Sequence, residues 1–219
     1  MERTETTETI TGILPSKEEI WTALCSRHTE GIQKKLAAAR VAVAGLGGLG
    51  SNVAVLLARA GVGHLHLVDF DRVDLTNLNR QQYGVRHLGM KKTEALRQVI
   101  REINPYIEVI TDCVRVTQDN LEQLFHLDSI VCEAFDVPEN KAMLVNGLLE
   151  AHPDKYLVAA SGMAGYGDSN RIHTRRVAGN FYLCGDETTD IHDGVGLMAP
   201  RVALCAAHQA NMIIRLIVE

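Results

Sequence analysis

Four ionisable residues of this 219-residue chain have the chemistry needed to handle phosphate groups. Arg80 and Lys92 are cations that can neutralise phosphate oxygens, and the planar guanidinium of arginine suits bidentate contacts. Asp69 and Asp136 are carboxylates, which can accept hydrogen bonds from ribose hydroxyls or hold a hard cation. Nucleotidyl transfer requires residues of these types, because negative charge builds on the phosphates as the reaction proceeds.

A glycine turn precedes these residues in the sequence. The segment Gly45-Leu46-Gly47-Gly48-Leu49-Gly50 matches the pattern G-x-G-x-x-G, follows the apolar run 41–44 and precedes a segment with helical spacing. Such a turn allows backbone N–H groups and a helix N-terminus to bind phosphate oxygens. The pattern alone favours a dehydrogenase and does not distinguish NAD, FAD or S-adenosylmethionine from ATP. It also occurs where only tight helix–strand packing is needed.

The residues that follow change this interpretation. Residues 68–81, with the sequence VDFDRVDLTNLNRQ, come directly after the second apolar run. Lys92 begins the next helical segment, and Asp136 follows the fourth apolar run. If these runs are parallel strands, all of these residues lie at the carboxyl edge of one sheet, where open α/β sheets bind ligands. Hydride transfer needs no such charged cluster, whereas nucleotidyl transfer does.

The elements that must position these residues alternate between strand and helix. Apolar runs predict strands at 41–44, 64–70, 107–111, 129–134 and 156–160, separated by helices at 51–60, 91–103, 121–125 and 141–151. Residues 171–177 and 181–183 predict extra strands, which we expect to be antiparallel, and residues 197–218 predict a closing helix.

The predicted fold class is therefore α/β. It is a Rossmann-like, mostly parallel sheet with helices on both faces, plus C-terminal antiparallel strands and the closing helix. The polar, threonine-rich residues 1–15 are expected to form a flexible N-terminus, and residues 16–219 to form a single domain.

Composition narrows the possible partners and compartments. The net charge of −5 and the absence of long Lys/Arg runs argue against nucleic acid as a partner. The N-terminus lacks the features of a signal peptide, and polar residues interrupt the apolar segment 197–218, so we expect a cytoplasmic protein without a membrane span. The five cysteines are scattered without a C-x-x-C pair, which argues against a disulfide framework and against a zinc site.

With these motifs the sequence resembles the ThiF/MoeB group of ubiquitin-activating-enzyme-like adenylyltransferases, over about residues 30–219. The ending, residues 199–211, is similar to the short ThiF type without a zinc-binding tail. The motifs that carry the resemblance are the glycine turn with Ser51, Asp69-Phe70-Asp71, Asn77-Leu78-Asn79-Arg80-Gln81, Gly89-Met90-Lys91-Lys92, and Asp136 with Asn140-Lys141.

The resemblance implies a role for each residue of the site. The cofactors it implies are ATP and Mg²⁺, with no zinc. Catalytic roles fall on Arg80 and Lys92, which would stabilise charge on the phosphates, and on Asp136, which would hold Mg²⁺. The residues implied to bind the nucleotide are Gly45, Gly47, Gly48, Gly50, Asp69 (at the ribose), Asp71, Asn77, Arg80, Gln81 and Lys92.

The resemblance also implies a reaction and partners. The C-terminal glycine carboxylate of a small ubiquitin-like, ThiS-like sulfur carrier would attack ATP, as in thiazole synthesis for thiamine, with a separate protein as the sulfur donor. The relatives form homodimers, and the surfaces of Leu56, Leu57 and residues 197–218 are candidates for an interface. The alternatives are another acceptor (a molybdopterin-type carrier or a modified tRNA adenosine), a NAD-dependent oxidoreductase, or a module that docks a carrier without activating it.

Several assignments have a competing structural explanation. Asp69 and Asp71 also fit the capping of a strand end, and Asp136 also fits the N-cap of a helix that begins near Pro138. Lys92 competes with Lys91 for the phosphate-binding role, and only its spacing from the preceding glycine favours Lys92.

Three features near the ends of the domain remain open. Cys184 corresponds to a cysteine that some relatives use for a covalent link to the carrier, but a buried structural cysteine explains it equally well. The following loop, residues 186–196, is expected to guide the extended tail of the carrier. For Arg27 two explanations are open: a match to an arginine that some relatives insert into the neighbouring subunit's site, or a surface charge.

Overall fold

The computed structural model describes residues 14–219. The predicted flexible N-terminus comprised residues 1–15, and residues 1–13 of it lie outside the described residues. Of the two remaining residues in that segment, Pro15 accepts a hydrogen bond at its carbonyl from the Tyr106 hydroxyl, at 2.9 Å. The division into a tail and one domain stays a prediction.

One seven-stranded sheet forms the centre of the described part of the chain. Its order is β3-β2-β1-β4-β5-β7-β6, and every neighbouring pair is parallel except β6 and β7. The strands are β1 (Arg40–Ala44), β2 (His64–Val68), β3 (Glu108–Asp112), β4 (Ile130–Glu133), β5 (Tyr156–Ala160), β6 (His173–Ala178) and β7 (Phe181–Gly185).

This arrangement confirms the predicted α/β class with its C-terminal antiparallel strands. In the described sheet β6 and β7 pair antiparallel, and β7 also pairs in parallel with β5. A tight hairpin at Gly179 closes the antiparallel pair, since this residue has a φ of +49° and the chain reverses within two residues of β6.

Helices cover both faces of the sheet. They are α1 (Lys17–His28), α2 (Glu30–Ala38), α3 (Gly48–Ala60), α4 (Lys92–Ile103), α5 (Leu121–Phe125), α6 (Pro138–Ala151) and α7 (Ala199–Val218). One hydrophobic core contains residues of α2, α3, α4 and α7, and a second contains residues of α5 and α6. Strand β1 contributes Val41 and Val43 to the first core and Ala42 and Ala44 to the second, as strand alternation requires.

The closing helix α7 meets the length and composition criteria for a membrane-spanning helix, which the sequence analysis did not expect. In the fold, 44% of its most apolar window is buried, and the helix packs against α3 and the sheet. A core helix of a folded domain passes the same test, so the criterion gives only weak evidence for a membrane span.

A buried histidine joins three elements of this scaffold. The ring of His66, in β2, lies between two carboxylates, with Nδ1 2.7 Å from Asp128 Oδ2 and Nε2 2.9 Å from Asp112 Oδ2. Burial acts to lower the pKa of the imidazole, but the hydrogen bonds and charges of Asp128 and Asp112 outweigh burial and raise the pKa above its ordinary value.

This histidine is expected to make stability depend on pH. Because the pKa of His66 is raised in the folded state, its contribution is complete below the unfolded-state pKa of about 6.5 and is lost as pH rises through the folded-state pKa. Urea titrations of the wild type above pH 6 should therefore give a falling free energy of unfolding. His66→Gln should remove this part of the fall. Equal slopes in both proteins would contradict the assignment.

Candidate functional site

The glycine turn lies at the carboxyl end of β1 and divides into two pairs of glycines. Gly45 has a φ of +91°, and a Cβ there would lie 2.8 Å from the Ala134 carbonyl oxygen. A Cβ on Gly50 would lie 1.8 Å from the Gly45 oxygen. These two glycines are therefore required by the backbone of the turn itself.

The other two glycines face the following loop. The atom nearest to a Cβ on Gly47 would be Gln81 Nε2, at 3.9 Å, and on Gly48 it would be Val202 Cγ1, at 3.0 Å. Gly47 is also the N-cap of α3, and no side chain of the described residues caps it. The first N–H groups of this 13-residue helix are therefore available to an anion, which is the arrangement predicted for a phosphate site.

Asp69 connects the glycine turn to the segment after β2. Its Oδ2 accepts a hydrogen bond from the Leu46 N–H and its Oδ1 accepts one from the Asp71 N–H, both at 2.7 Å. The local role considered for Asp69 is therefore present in the structure. Each carboxylate oxygen can accept a second hydrogen bond, so the predicted ribose contact is compatible with this geometry.

The structure distinguishes the two adjacent lysines. Lys92 is 7% exposed and its Nζ lies 3.0 Å from Asp71 Oδ2, whereas Lys91 is exposed. The Lys92 N–H also donates to the Asp71 carbonyl at 2.9 Å. Lys92 therefore belongs to the cluster that contains Asp69 and Asp71, and Lys91 lies outside it.

The loop after β2 is held by its own polar side chains. Asn77 Oδ1 accepts from the Asp74 N–H at 2.9 Å and closes the short 3₁₀ turn Leu75–Asn77. Arg80 Nη1 donates to the Thr76 carbonyl and to Asn79 Oδ1. The Arg80 stem lies beside Gly48, with its Cγ and Cδ 3.5 Å from the position of a Cβ there. Within residues 14–219 the remaining guanidinium nitrogens of Arg80 have no hydrogen-bond partner, and they are available to an anion.

Gln81 carries a buried polar atom without a partner. The residue is 8% exposed, and its Oε1 has no hydrogen bond to any atom of residues 14–219. Because an unpaired buried acceptor is costly, such an atom points to a donor that the protein itself does not supply. The Nε2 of the same side chain is the atom nearest to a Cβ on Gly47, at 3.9 Å, so Gln81 lies beside the glycine turn.

Asp136 lies in the turn between β4 and α6. It is exposed, and its side chain has no hydrogen bond or ion pair to another described residue. The N-cap of α6 is Val137, with Pro138 in the first turn, so Asp136 is not the helix cap considered from the sequence. Its carboxylate is therefore available to a ligand at the edge of the sheet.

Two residues that were not recognised from the sequence, Asn52 and Tyr83, hold this site together. Asn52 Nδ2 donates to the Gly48 carbonyl at 2.6 Å and to the Arg80 carbonyl at 3.0 Å. The Tyr83 hydroxyl donates to the Leu46 carbonyl at 2.8 Å, and burial raises the pKa of this phenol well above its ordinary value. The only sequence signal for Asn52 was a polar residue in the first turn of an apolar helix.

Cys184 is a buried residue at the end of β7. Burial raises the pKa of its thiol to about 11. The hydrogen bond with the Thr174 hydroxyl, 3.4 Å away, lowers the pKa but has the weaker effect. A thiol of this kind is a poor nucleophile at neutral pH. The structure therefore favours the structural explanation of Cys184 over a covalent link to a carrier.

The loop after β7 is anchored at its start by a buried ion pair. Asp186 pairs with Arg201 of α7 and accepts hydrogen bonds from the N–H groups of Thr188 and Thr189, each at 2.9 Å. Arg201 Nη1 also donates to the carbonyls of Gly167 and Asp168 at 2.9 Å. This pair joins α7 to the two segments that follow β5 and β7 at the same edge of the sheet.

The proposed dimer surface needs one correction. Leu57 is fully buried in the core and is not available to a partner, whereas Leu56 is 38% exposed beside Arg59 in a groove between α3 and α7. The helical period explains the difference, because adjacent residues of α3 point to different sides. Arg27, in the last turn of α1, is exposed.

The sheet order and the glycine turn at the end of β1 define a Rossmann-like α/β protein. The chain belongs to the ThiF family, whose model matches residues 22–219.

Curated relatives agree with this family. The chain is 33% identical over 153 residues to the adenylyltransferase and sulfurtransferase UBA4 of Candida glabrata, a match that covers 69% of this chain and 35% of that protein. It is 40% identical over 109 residues to the tRNA threonylcarbamoyladenosine dehydratase of Escherichia coli, covering 49% of this chain and 41% of that protein. The matched sequence thus spans about a third of the length of the UBA4 protein, and the sequence match to the dehydratase spans under half of that protein.

Solved structures share the fold. A crystal structure of the E. coli dehydratase in complex with ATP superposes with a TM-score of 0.82 at 24% identity, covering 94% of this chain and 97% of that one. A crystal structure of E. coli MccB with succinimide gives a TM-score of 0.69 at 23% identity, over 86% of this chain and 58% of that one. At these identities the likeness establishes the common architecture.

Proposed function

We propose that this protein adenylates a carboxylate with ATP. The observation that carries the proposal is the glycine turn, where the N-terminus of α3 at Gly47 and Gly48 has no side-chain cap and lies beside the side chains of Gln81 and Arg80. Membership of the ThiF family supports it, since the relative from Candida glabrata is named an adenylyltransferase. Lys92 and Asp136 complete a charged set at the same edge of the sheet.

The reaction proceeds by nucleophilic attack on the α-phosphorus of ATP. A carboxylate oxygen of the acceptor forms a bond to this phosphorus while the bond to the bridging oxygen of the β-phosphate breaks. The products are an acyl-adenylate and pyrophosphate. The chain supplies no nucleophile of its own, so its contribution is positioning and stabilisation of charge.

Each proposed role follows from a position in the site. The α3 N-terminus and Arg80 bind phosphate oxygens, and Asp69 accepts a hydrogen bond from the ribose. The Lys92 ammonium, already paired with Asp71, stabilises charge on the α-phosphate. Asn77 holds the turn that presents Arg80.

Asp136 offers a hard oxygen ligand suited to Mg²⁺. In residues 14–219 no cluster of three or more His, Cys, Asp or Glu side chains is arranged to hold a metal ion. A magnesium ion at Asp136 would therefore take its other ligands from phosphate oxygens and water, as Mg²⁺ usually does at nucleotide sites. When bound, it would neutralise charge on the departing pyrophosphate.

The acceptor we propose is the C-terminal glycine carboxylate of a small ubiquitin-like sulfur carrier of the ThiS type. The chain's net charge of −5 disfavours a polyanionic acceptor, and a second protein would supply the sulfur. We expect the protein to act in the cytoplasm as a homodimer. A modified tRNA adenosine is the second candidate, because the relative from E. coli is named a tRNA threonylcarbamoyladenosine dehydratase.

A pyrophosphate-exchange assay tests both candidates. Purified protein with MgATP and the carrier should exchange labelled pyrophosphate into ATP, and mass spectrometry should detect the carrier adenylate. The matched control is the same carrier with an amidated C-terminus, which cannot attack ATP. Exchange that requires tRNA instead of carrier, with salt-sensitive tRNA binding, would support the second candidate. Preference for NAD over MgATP in equilibrium titration would exclude both.

A further inference from the structure

Strands β4 and β5 stop pairing before their carboxyl ends, and a buried carboxylate lies at that point. Their backbone register ends at Cys132 and Val158, one residue before Glu133. The Glu133 side chain is fully buried, and its Oε1 accepts a hydrogen bond from the Phe135 N–H at 2.7 Å. The carboxylate thus holds the backbone that follows β4.

A lysine from α6 completes this arrangement. Lys141 Nζ lies 2.9 Å and 3.1 Å from the two carboxylate oxygens of Glu133 and donates to the Phe135 carbonyl at 2.9 Å. Burial raises the pKa of Glu133 above its ordinary value, although Lys141 and the Phe135 N–H act in the opposite direction. The ammonium therefore balances a costly buried acid and fixes a backbone carbonyl of the next turn.

The turn held in this way, residues 134–136, borders the nucleotide site. The Ala134 carbonyl oxygen lies 2.8 Å from the position of a Cβ on Gly45, and Phe135 Cδ1 lies 3.0 Å from it. Asp136 is the next residue and has no side-chain contact of its own within the described residues. The position of Asp136 therefore depends on the backbone of Phe135, which Glu133 and Lys141 hold from both its N–H and its carbonyl.

We propose that Glu133 and Lys141 are positioning residues for adenylation, which brace the 134–136 turn so that Asp136 and the wall of the glycine turn keep the geometry that the reaction requires. This inference rests on the proposed function. Neither residue touches the nucleotide in this role, and both act through the backbone of the turn.

Another lysine of the chain, whose role is structural only, provides a matched control for Lys141. Lys155, which is 9% exposed, also donates to two backbone carbonyls, those of His126 and Asp128, at 2.9 Å and 2.7 Å. It precedes β5 and so lies at the amino end of the sheet, opposite the nucleotide site. Lys155→Met removes a comparable contact without affecting the 134–136 turn.

The test compares Lys141→Met, Lys141→Arg and Lys155→Met by pyrophosphate exchange. We expect Lys141→Met to lower kcat by roughly ten- to a hundredfold, the usual loss when a supporting contact of a site is removed. The magnesium concentration that gives half-maximal rate should rise several-fold, with a smaller change in KM for ATP. Lys141→Arg, which keeps a cation able to reach both acceptors, should recover most of the rate, and Lys155→Met should behave as wild type in both measurements.

A second readout does not depend on activity. In the protein without ligand, the backbone amides of residues 134–137 should exchange with deuterium faster in Lys141→Met than in wild type or Lys155→Met. The double variant Glu133→Gln/Lys141→Met removes both charges and should regain stability, because no uncompensated acid stays buried. Its exchange kcat should nevertheless stay low, since the Phe135 carbonyl is still unsupported.

The outcomes separate the two levels of the argument. If the wild-type protein shows no pyrophosphate exchange with any of the acceptors tested, the proposed function is wrong. The positioning role alone is overturned if the wild type exchanges pyrophosphate while Lys141→Met keeps the wild-type kcat, magnesium dependence and amide hydrogen exchange. Equal losses in Lys141→Met and Lys155→Met would also overturn it, because they would indicate general destabilisation.

Discussion

Arg80→Ala is expected to abolish most pyrophosphate exchange while leaving the fold intact. The aliphatic stem of Arg80 lies beside Gly48, and among its guanidinium nitrogens only Nη1 has partners in the described residues. Removing a donor that stabilises developing charge lowers kcat by roughly a hundred- to a thousandfold. Stability should change little, since the bonds lost are partly exposed contacts to Thr76 and Asn79. Steady-state exchange kinetics and urea unfolding would measure the two effects.

A matched arginine in the same loop gives the control. Arg86 is exposed and pairs with Glu102, away from the glycine turn. Arg86→Ala should keep the wild-type exchange rate. If Arg80→Ala also keeps it, the loop after β2 does not bind phosphate and the proposed mechanism is wrong.

Arg201→Met is expected to cause the largest loss of stability. The side chains of Arg201 and Asp186 are 4% and 1% exposed, so removing the cation leaves a carboxylate buried without its charge partner. Breaking a buried ion pair in this way costs about 3–5 kcal/mol of unfolding free energy. It also removes the bonds from Arg201 to the carbonyls of Gly167 and Asp168. Urea unfolding monitored by circular dichroism would measure the loss.

An exposed ion pair in the same region provides the comparison. Arg175 contacts both carboxylate oxygens of Glu187 at 2.6 Å, but both residues are solvent-accessible. Arg175→Gln should therefore leave the unfolding midpoint close to that of the wild type, because exposed ion pairs contribute little. Similar losses in Arg175→Gln and Arg201→Met would show that burial is not what makes the Asp186 pair important.

The fold was largely predictable because its signals are local. Continuous apolar runs identify buried parallel strands, and the glycine turn identifies the helix α3 that follows it. The structure places β1 and α5 within a residue of their predicted bounds. The direction of β7 relative to β5 was not predictable in this way. Strand direction depends on which neighbouring strand forms the hydrogen bonds, and the short apolar run 181–183 does not indicate that neighbour.

The residues of the candidate site likewise differ in how far the sequence predicts them. Residues that act through type and spacing, such as Arg80 and Lys92, were identified from the sequence, and their functional roles stay predictions. Asn52 acts through the backbone carbonyl of Arg80, which is distant in sequence, and Glu133 and Lys141 act together on the backbone of Phe135. Such contacts depend on how segments meet in three dimensions, which composition and periodicity do not encode.

The outer strand β6 has a consequence for solubility. One side of this strand has no partner within the described sheet, and such an edge can template pairing with another chain. Its sequence, HTRRVA, is mostly exposed and places Arg175 and Arg176 side by side in the centre. Charged side chains at this position oppose edge-to-edge aggregation, so these two arginines protect the protein at high concentration. Their replacement by valine would create an uncharged β-branched run on an open edge, the composition that favours amyloid-like assembly.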